Sequence, residues 1–191
     1  MNDLIHIHED DWGMRNLYPA AAQCEVDKDI ETAREASLKN RAPDGMGWTD
    51  VHLIEEPSTD YRQAGLRLTE AAAAPGLILP RVKRFYATAC SGFDLTKRDP
   101  WGSYDDDAWC FGHQHCYIKL DVKDDLVTQI WYDLSSSKSA DADTLRHALE
   151  AIDRIVPSLV ADYFLQTQGL VADRQFLDTY FQDLTTQAAA Q

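Results

Sequence analysis

The stretch Gln114-His115-Cys116-Tyr117-Ile118-Lys119-Leu120-Asp121-Val122, then Lys123-Asp124-Asp125, then Leu126-Val127-Thr128-Gln129-Ile130-Trp131-Tyr132-Asp133-Leu134 decides the fold class. Cys116, Ile118, Leu120 and Val122 alternate with His115, Tyr117, Lys119 and Asp121. That period of two is the mark of a strand with one buried face. The Lys-Asp-Asp step supplies a tight turn, and Leu126, Thr128, Ile130 and Tyr132 carry the alternation back. The sequence therefore contains a β-hairpin over about 114–134, and the remaining elements are read around it.

Two further strands are expected at 48–54 and 82–90, and a short one at 4–8, where Ile5 and Ile7 oppose His6 and His8. Residues 20–40 lack Gly and Pro and carry a Glu35/Lys39 pair at helical spacing, which predicts a helix stopped by the Pro43-Asp44-Gly45 run. An Ala-rich helical piece is expected at 61–73. In the last third, Leu145, Leu149, Ile152, Val156, Leu159, Val160 and Tyr163 form a stripe at helical spacing, with Asp141 as N-cap and a kink at Pro157. Phe176, Leu177, Tyr180, Phe181 and Leu184 predict a final amphipathic helix. Residues 91–112 read as a long ordered loop packed by its own aromatics.

These elements are too unevenly spaced for a regular βαβ series. The expectation is α+β: a single compact domain over 1–191 with a mixed or antiparallel sheet of about five strands. Helices pack mainly on one face, and the C-terminal third is helical.

The chain carries 18 Lys and Arg against 32 Asp and Glu, a formal charge of −14. That balance argues against nucleic acid, whose binding needs a basic face, and against an anionic membrane surface. No basic-then-apolar leader and no spanning apolar run is visible, and the four cysteines form no dense framework. The cytoplasm is the expected compartment.

The candidate site residues fall into two groups. If all aliphatic sheet faces turn toward the helices, His6, His8, His52 and His115 project from the opposite face together with Tyr117, Lys119, Gln129 and Trp131. That surface would suit a ligand, a metal or a partner. His6, His8, His113 and His115 are the candidate metal ligands, beside Cys110 and Cys116 and the acids Glu9, Asp10 and Asp11. Zinc or another transition metal is the ion such donors would take, although no cofactor is evident from a complete motif. The second group is the loop with Trp101, Tyr104, Asp105, Asp106, Asp107 and Trp109. Its aromatics can anchor a basic partner while its acids steer one. The same run lacks the alternating ligands and closing Glu of a calcium loop.

Elsewhere the signals are slight. Cys90 follows a strand but lacks the nucleophile-elbow pattern, and no Gly-rich phosphate loop occurs. Arg15, in the unusual run Glu9-Asp10-Asp11-Trp12-Gly13-Met14-Arg15-Asn16, belongs to a binding loop or pairs with nearby acids. The function expected is a protein-binding or inhibitory module, immunity- or antitoxin-like by analogy of class, taking a basic protein partner. The alternative is a small metal-dependent enzyme or ligand-binding protein working through the histidine face. Exposed Trp and Tyr on that face would also suit a homodimer.

Overall fold

The computed structural model describes residues 3–44, 46–47, 49–50, 52–89 and 98–189. The hairpin is present as β7 (Cys116–Lys123) and β8 (Leu126–Leu134). Asp124 and Asp125 both take positive φ, 53° and 65°, the geometry of a two-residue turn that matches strand twist. A register shift at Asp121/Val122 pairs Val122 with Val127 and leaves Thr128 as the extra residue. Val127 therefore turns into the core in place of Leu126 and Thr128, which departs from the simple alternation expected for the return strand.

The hairpin lies inside a seven-stranded antiparallel sheet ordered β10-β9-β2-β8-β7-β6-β3. Its other members are β2 (Arg15–Pro19), β3 (Arg81–Val82), β6 (Trp109–His113), β9 (Ser158–Asp162) and β10 (Thr167–Leu170). A second, three-stranded sheet is ordered β1-β4-β5, from Leu4–His8, Arg84–Thr88 and Ser103–Asp105. There β1 runs parallel to β4, and β5 runs antiparallel to it. The architecture is thus α+β as expected, with ten strands in two sheets among the described residues in place of about five in one.

Four helices complete the described chain: α1 (Gln23–Lys39), α2 (Leu68–Gly76), α3 (Ser139–Asp153) and α4 (Arg174–Ala189). The first face of the large sheet, with Leu17, Ile118, Leu120, Ile130, Tyr132 and Val160, packs against α2, α3 and α4. The second face is shared. Tyr18, Leu159 and Ala161 meet Val26 and Ile30 of α1. Cys110, Tyr117 and Trp131 meet Ile5, Ile7, Phe85 and Ala87 of the small sheet. Three helices on one face agree with expectation; α1 and the small sheet cover the other.

Four local expectations are corrected. The stripe through Val156, Leu159, Val160 and Tyr163 is not a helix: α3 ends at Asp153, and Pro157 precedes strand β9. Pro disfavours helical backbone at the residue before it, and a central strand buried on both faces shows a continuous apolar run instead of alternation. The C-terminal third is accordingly helix–hairpin–helix. Asp141 sits inside the first turn of α3, whose cap residue is Lys138. The strand expected at 48–54 is absent from its described part, where 52–57 form no helix or ladder; Trp48 and Val51 lie outside the described residues. The loop expected over 91–112 contains β5 and most of β6; residues 90–97, including Cys90, lie outside the described residues. No described helix is long and apolar enough to cross a membrane.

The two sheets are joined by an ion cluster around a buried lysine as well as by rings. Lys119 on β7 is 2% exposed; its ammonium bonds Asp121 and lies 3.3 Å from Asp105 on β5. It also stands 5.6 Å from the centroids of Trp12, Phe85 and Trp131. Trp131 donates its indole N–H to Asp121 at 3.0 Å and meets Phe85 edge-on at 4.9 Å.

Candidate functional site

The first strand is an edge strand, and its outer side opens on a cleft of about 310 Å³. One wall is β1 itself, with His6 and His8. The opposite wall is the turn between β6 and β7, with Gln114 and His115. The floor is Arg15 of β2, Tyr117 of β7 and Asp133 of β8; Asp11, Ser135, Phe164 and Gln187 complete the rim. Four of the sequence-predicted residues, His6, His8, His115 and Tyr117, are therefore brought together.

Arg15 organises the floor. Its Nε donates to Asp162 at 2.9 Å, one terminal nitrogen bonds Asp133, and the other donates to Gln187 Oε1 at 2.9 Å. Asp162 is 0% exposed and also accepts from the Tyr180 hydroxyl at 2.9 Å and the Leu165 N–H at 2.8 Å. Tyr180 in turn meets the Tyr132 hydroxyl at 2.8 Å. Burial opposes the guanidinium charge, but Asp162 and Asp133 more than offset it and hold Arg15 above its ordinary range. Arg15 thus lies in a strand and pairs with acids distant in sequence, in place of the binding loop or the nearby acids expected for its run.

The imidazoles are held individually. His6 Nε2 lies 2.7 Å from Thr88 Oγ1, and burial first, then the neighbouring His8, pushes its pKa down. His8 Nδ1 accepts the Asp10 N–H at 3.3 Å, which caps the short 3-10 turn Glu9–Asp11. His115 Nδ1 lies 3.2 Å from Ser135 Oγ. Asp11 is pushed up by loss of hydration and then by the like charge of Asp133. Among the described lining residues, Arg15 is the one permanent cation, and it is already committed to Asp133 and Asp162. Carboxylate charge is therefore left over in the cleft.

The other predicted residues lie elsewhere. Trp131 is 2% exposed beneath the small sheet, and Lys119 is buried with it. The Lys119–Trp131 part of the polar–aromatic face expected from the alternation is thus an internal surface. His52 lies beside α1, its Nε2 2.7 Å from Asp29 Oδ1. His113 Nε2 faces Asp141 at 3.4 Å, away from the cleft lining. Among the described residues, no group of three or more His, Cys, Asp or Glu side chains is placed to hold a metal ion. His6, His8, His113 and His115 therefore do not form the ligand shell expected for zinc or another transition metal.

In the acidic loop each carboxylate already meets a cation. Asp105 faces Lys119, Asp106 accepts from Arg98 at 2.7 Å and from Tyr86, and Asp107 lies 3.3 Å from Arg81. Arg81 also stacks 3.6 Å over Trp109, and Arg98 lies 4.6 Å over Tyr104. Trp101 remains 86% exposed. Asp11 was among the acids named beside His6 and His8, whereas sequence reasoning missed Asp133, Ser135 and Gln114 as site residues; their types are common and only the fold collects them. No family model matches this chain, and comparison with curated proteins and with solved structures finds no match either.

Proposed function

We propose that this chain is a protein-binding, inhibitory module of the immunity or antitoxin kind, and that the cleft beside β1 receives a cationic group of a basic partner. The supporting observation is the leftover carboxylate charge of Asp11 and Asp133, in a concavity whose one permanent cation is already paired. A lysine or arginine entering there gains charge-assisted bonds and offsets the Asp133 repulsion that, after loss of hydration, raises Asp11. The overall charge of −14 would speed the encounter by steering. This reading moves the expected contact from the 105–107 loop, whose acids are internally neutralised, to the cleft.

The test is affinity capture from the native host with the tagged chain, at low and high salt, beside an Asp11→Lys variant. Capture of a basic protein that salt weakens and Asp11→Lys abolishes is the expected result. A partner held equally by Asp11→Lys would refute the cleft as its seat. A second reading, a small-ligand-binding protein or enzyme using imidazoles, draws support from the 3.2 Å His115–Ser135 contact inside the same cleft. It requires that a small molecule, with no protein, stabilise the fold and lose that effect in His115→Ala.

A further inference from the structure

The second face of the large sheet has a seam between α1 and the small sheet, and residues 52–57 run along it outside any helix or ladder, with burial that alternates from His52 to Glu55. The segment is pinned at its ends. His52 Nε2 bonds Asp29, and Ser58 gives its N–H and hydroxyl to Glu25 at 2.8 and 3.0 Å. Between the pins, Ile54 turns inward against the Tyr18–Leu159 core, while Leu53, Glu55 and Glu56 are exposed. Among the described residues, 53–57 make no hydrogen bond, backbone or side chain. Backbone outside any ladder, with open donors and acceptors and alternating burial, is a template that a second strand can complete.

Of the cavities that flank this backbone, three of about 340, 210 and 130 Å³ share Glu56 as a wall. The largest lies toward α1, by Glu25, Lys28, Thr32 and Glu55. The second is lined by Tyr18, Thr59, Asp60 and Thr128, and the third by Trp12, Asn16 and Trp131. Side-chain-sized spaces thus sit beside an unpaired backbone segment. The charged groups facing them are Glu25, Asp29, Glu55, Glu56 and Asp60 against Lys28, with Arg62 4.0 Å from Asp60 and His52 on Asp29.

We infer that this seam is a groove for an extended basic segment of a protein partner, which pairs its backbone with residues 53–56 and places lysine or arginine side chains in the acid-lined cavities. Backbone pairing would supply affinity, and the cavities would select side chains. A second copy of this chain is a poor occupant, since each copy carries −14. The groove uses residues separate from the cleft, so either assignment stands or falls by itself.

The probe is a short fluorescein-labelled peptide alternating threonine and lysine, read by fluorescence anisotropy on the full chain. Glu55→Gln/Glu56→Gln, two exposed side chains without hydrogen bonds, should leave the melting curve unchanged and weaken binding about tenfold. Binding should slow hydrogen exchange at the amides of 53–56. It should be lost when alternate peptide nitrogens are methylated, and it should survive Asp11→Lys. Equal binding of the methylated peptide, or unchanged exchange at 53–56, would overturn the groove in favour of charge attraction alone. Loss of binding in Asp11→Lys would overturn it in favour of the cleft.

Discussion

Gln114 pairs its side-chain amide with both backbone groups of His6. Its Oε1 accepts the His6 N–H at 2.9 Å, and its Nε2 donates to the His6 carbonyl. A single side chain thus does for the open side of β1 what a neighbouring strand would do, and it blunts an edge that could otherwise recruit another chain. Gln114→Leu should cost about 1 kcal/mol in urea denaturation and speed exchange of the His6 amide. Gln114→Glu keeps the acceptor, loses the donor, and should restore only part of that protection. Unchanged exchange in Gln114→Leu would mean that the amide does not close the edge.

Asp162 carries the most costly burial in the molecule to disturb. Arg15→Met leaves this fully buried carboxylate without its guanidinium, and a loss of about 3–5 kcal/mol is expected on chemical denaturation. Tyr180→Phe removes one of its donors and should cost about 1 kcal/mol. Equal losses for the two variants would contradict the central place of the ion pair.

Thiol chemistry should separate the cysteines. Cys24 is exposed, whereas burial pushes Cys116 up to about 12 and raises Cys110 further. In a Cys90→Ser background, a disulfide reagent at neutral pH should label one thiol rapidly in the native protein and three after unfolding. Fast native labelling of Cys116 would show that the core around α3 opens readily.

Two groups in the cleft should bend the stability–pH curve in opposite directions. His6 is lowered from 6.5 by burial and then by His8, so the unfolded chain protonates first and stability falls as pH drops below 6.5. His6→Asn should flatten that limb. Asp11 is raised from 3.8 by desolvation and then by Asp133, so its contribution is complete below 3.8 and is lost as pH rises through its folded value. Asp11→Asn should accordingly gain on the native chain between acid and neutral pH, as read from melting temperatures across the range. A constant difference at every pH would rule out the titration of Asp11 as its source.

Gly112 has φ +131°, and a Cβ there would stand 2.8 Å from Tyr117 Cα and closer still to the Cys116 carbonyl. Both obstacles are backbone in the paired strand, so neither can rotate away. Gly112→Ala should cost more than about 2 kcal/mol. A melting temperature within error of the native one would show that β6 and β7 can part there at no cost.

What was legible in the sequence was local. The β7–β8 hairpin and α1 declare themselves by period and punctuation, and His6 and His8 by sharing one side of a five-residue strand. What was hidden depended on partners far along the chain. Arg15 and Asn16 look like loop residues until Asp133 and Asp162 arrive to satisfy a buried guanidinium. The run Leu159-Val160-Ala161 fits a helix or a doubly buried strand equally well, because period carries no information when both faces are covered. The polar alternation of Tyr117, Lys119 and Trp131 was read in the right phase, but only the small sheet explains why it lies inside. The acids at 105–107 look open because Lys119, Arg98 and Arg81 are not their neighbours in sequence.

The position of β2 governs when this protein can become itself. Its two neighbours, β8 and β9, are encoded more than a hundred positions downstream, with Asn16 opposite both Trp131 and Ala161. A chain emerging from the ribosome therefore holds its central strand ready for most of synthesis with nothing to lie against. The β7–β8 hairpin, closed by two residues, can form early, but the slot between β8 and β9 exists only once both have been made. The early strand can pair with β8 once that is made, but its other flank stays open until β9 follows. A nascent chain halted before Ser158 would lack the whole β9 flank of that slot and present Arg15, already made, without the Asp162 that later pairs with it.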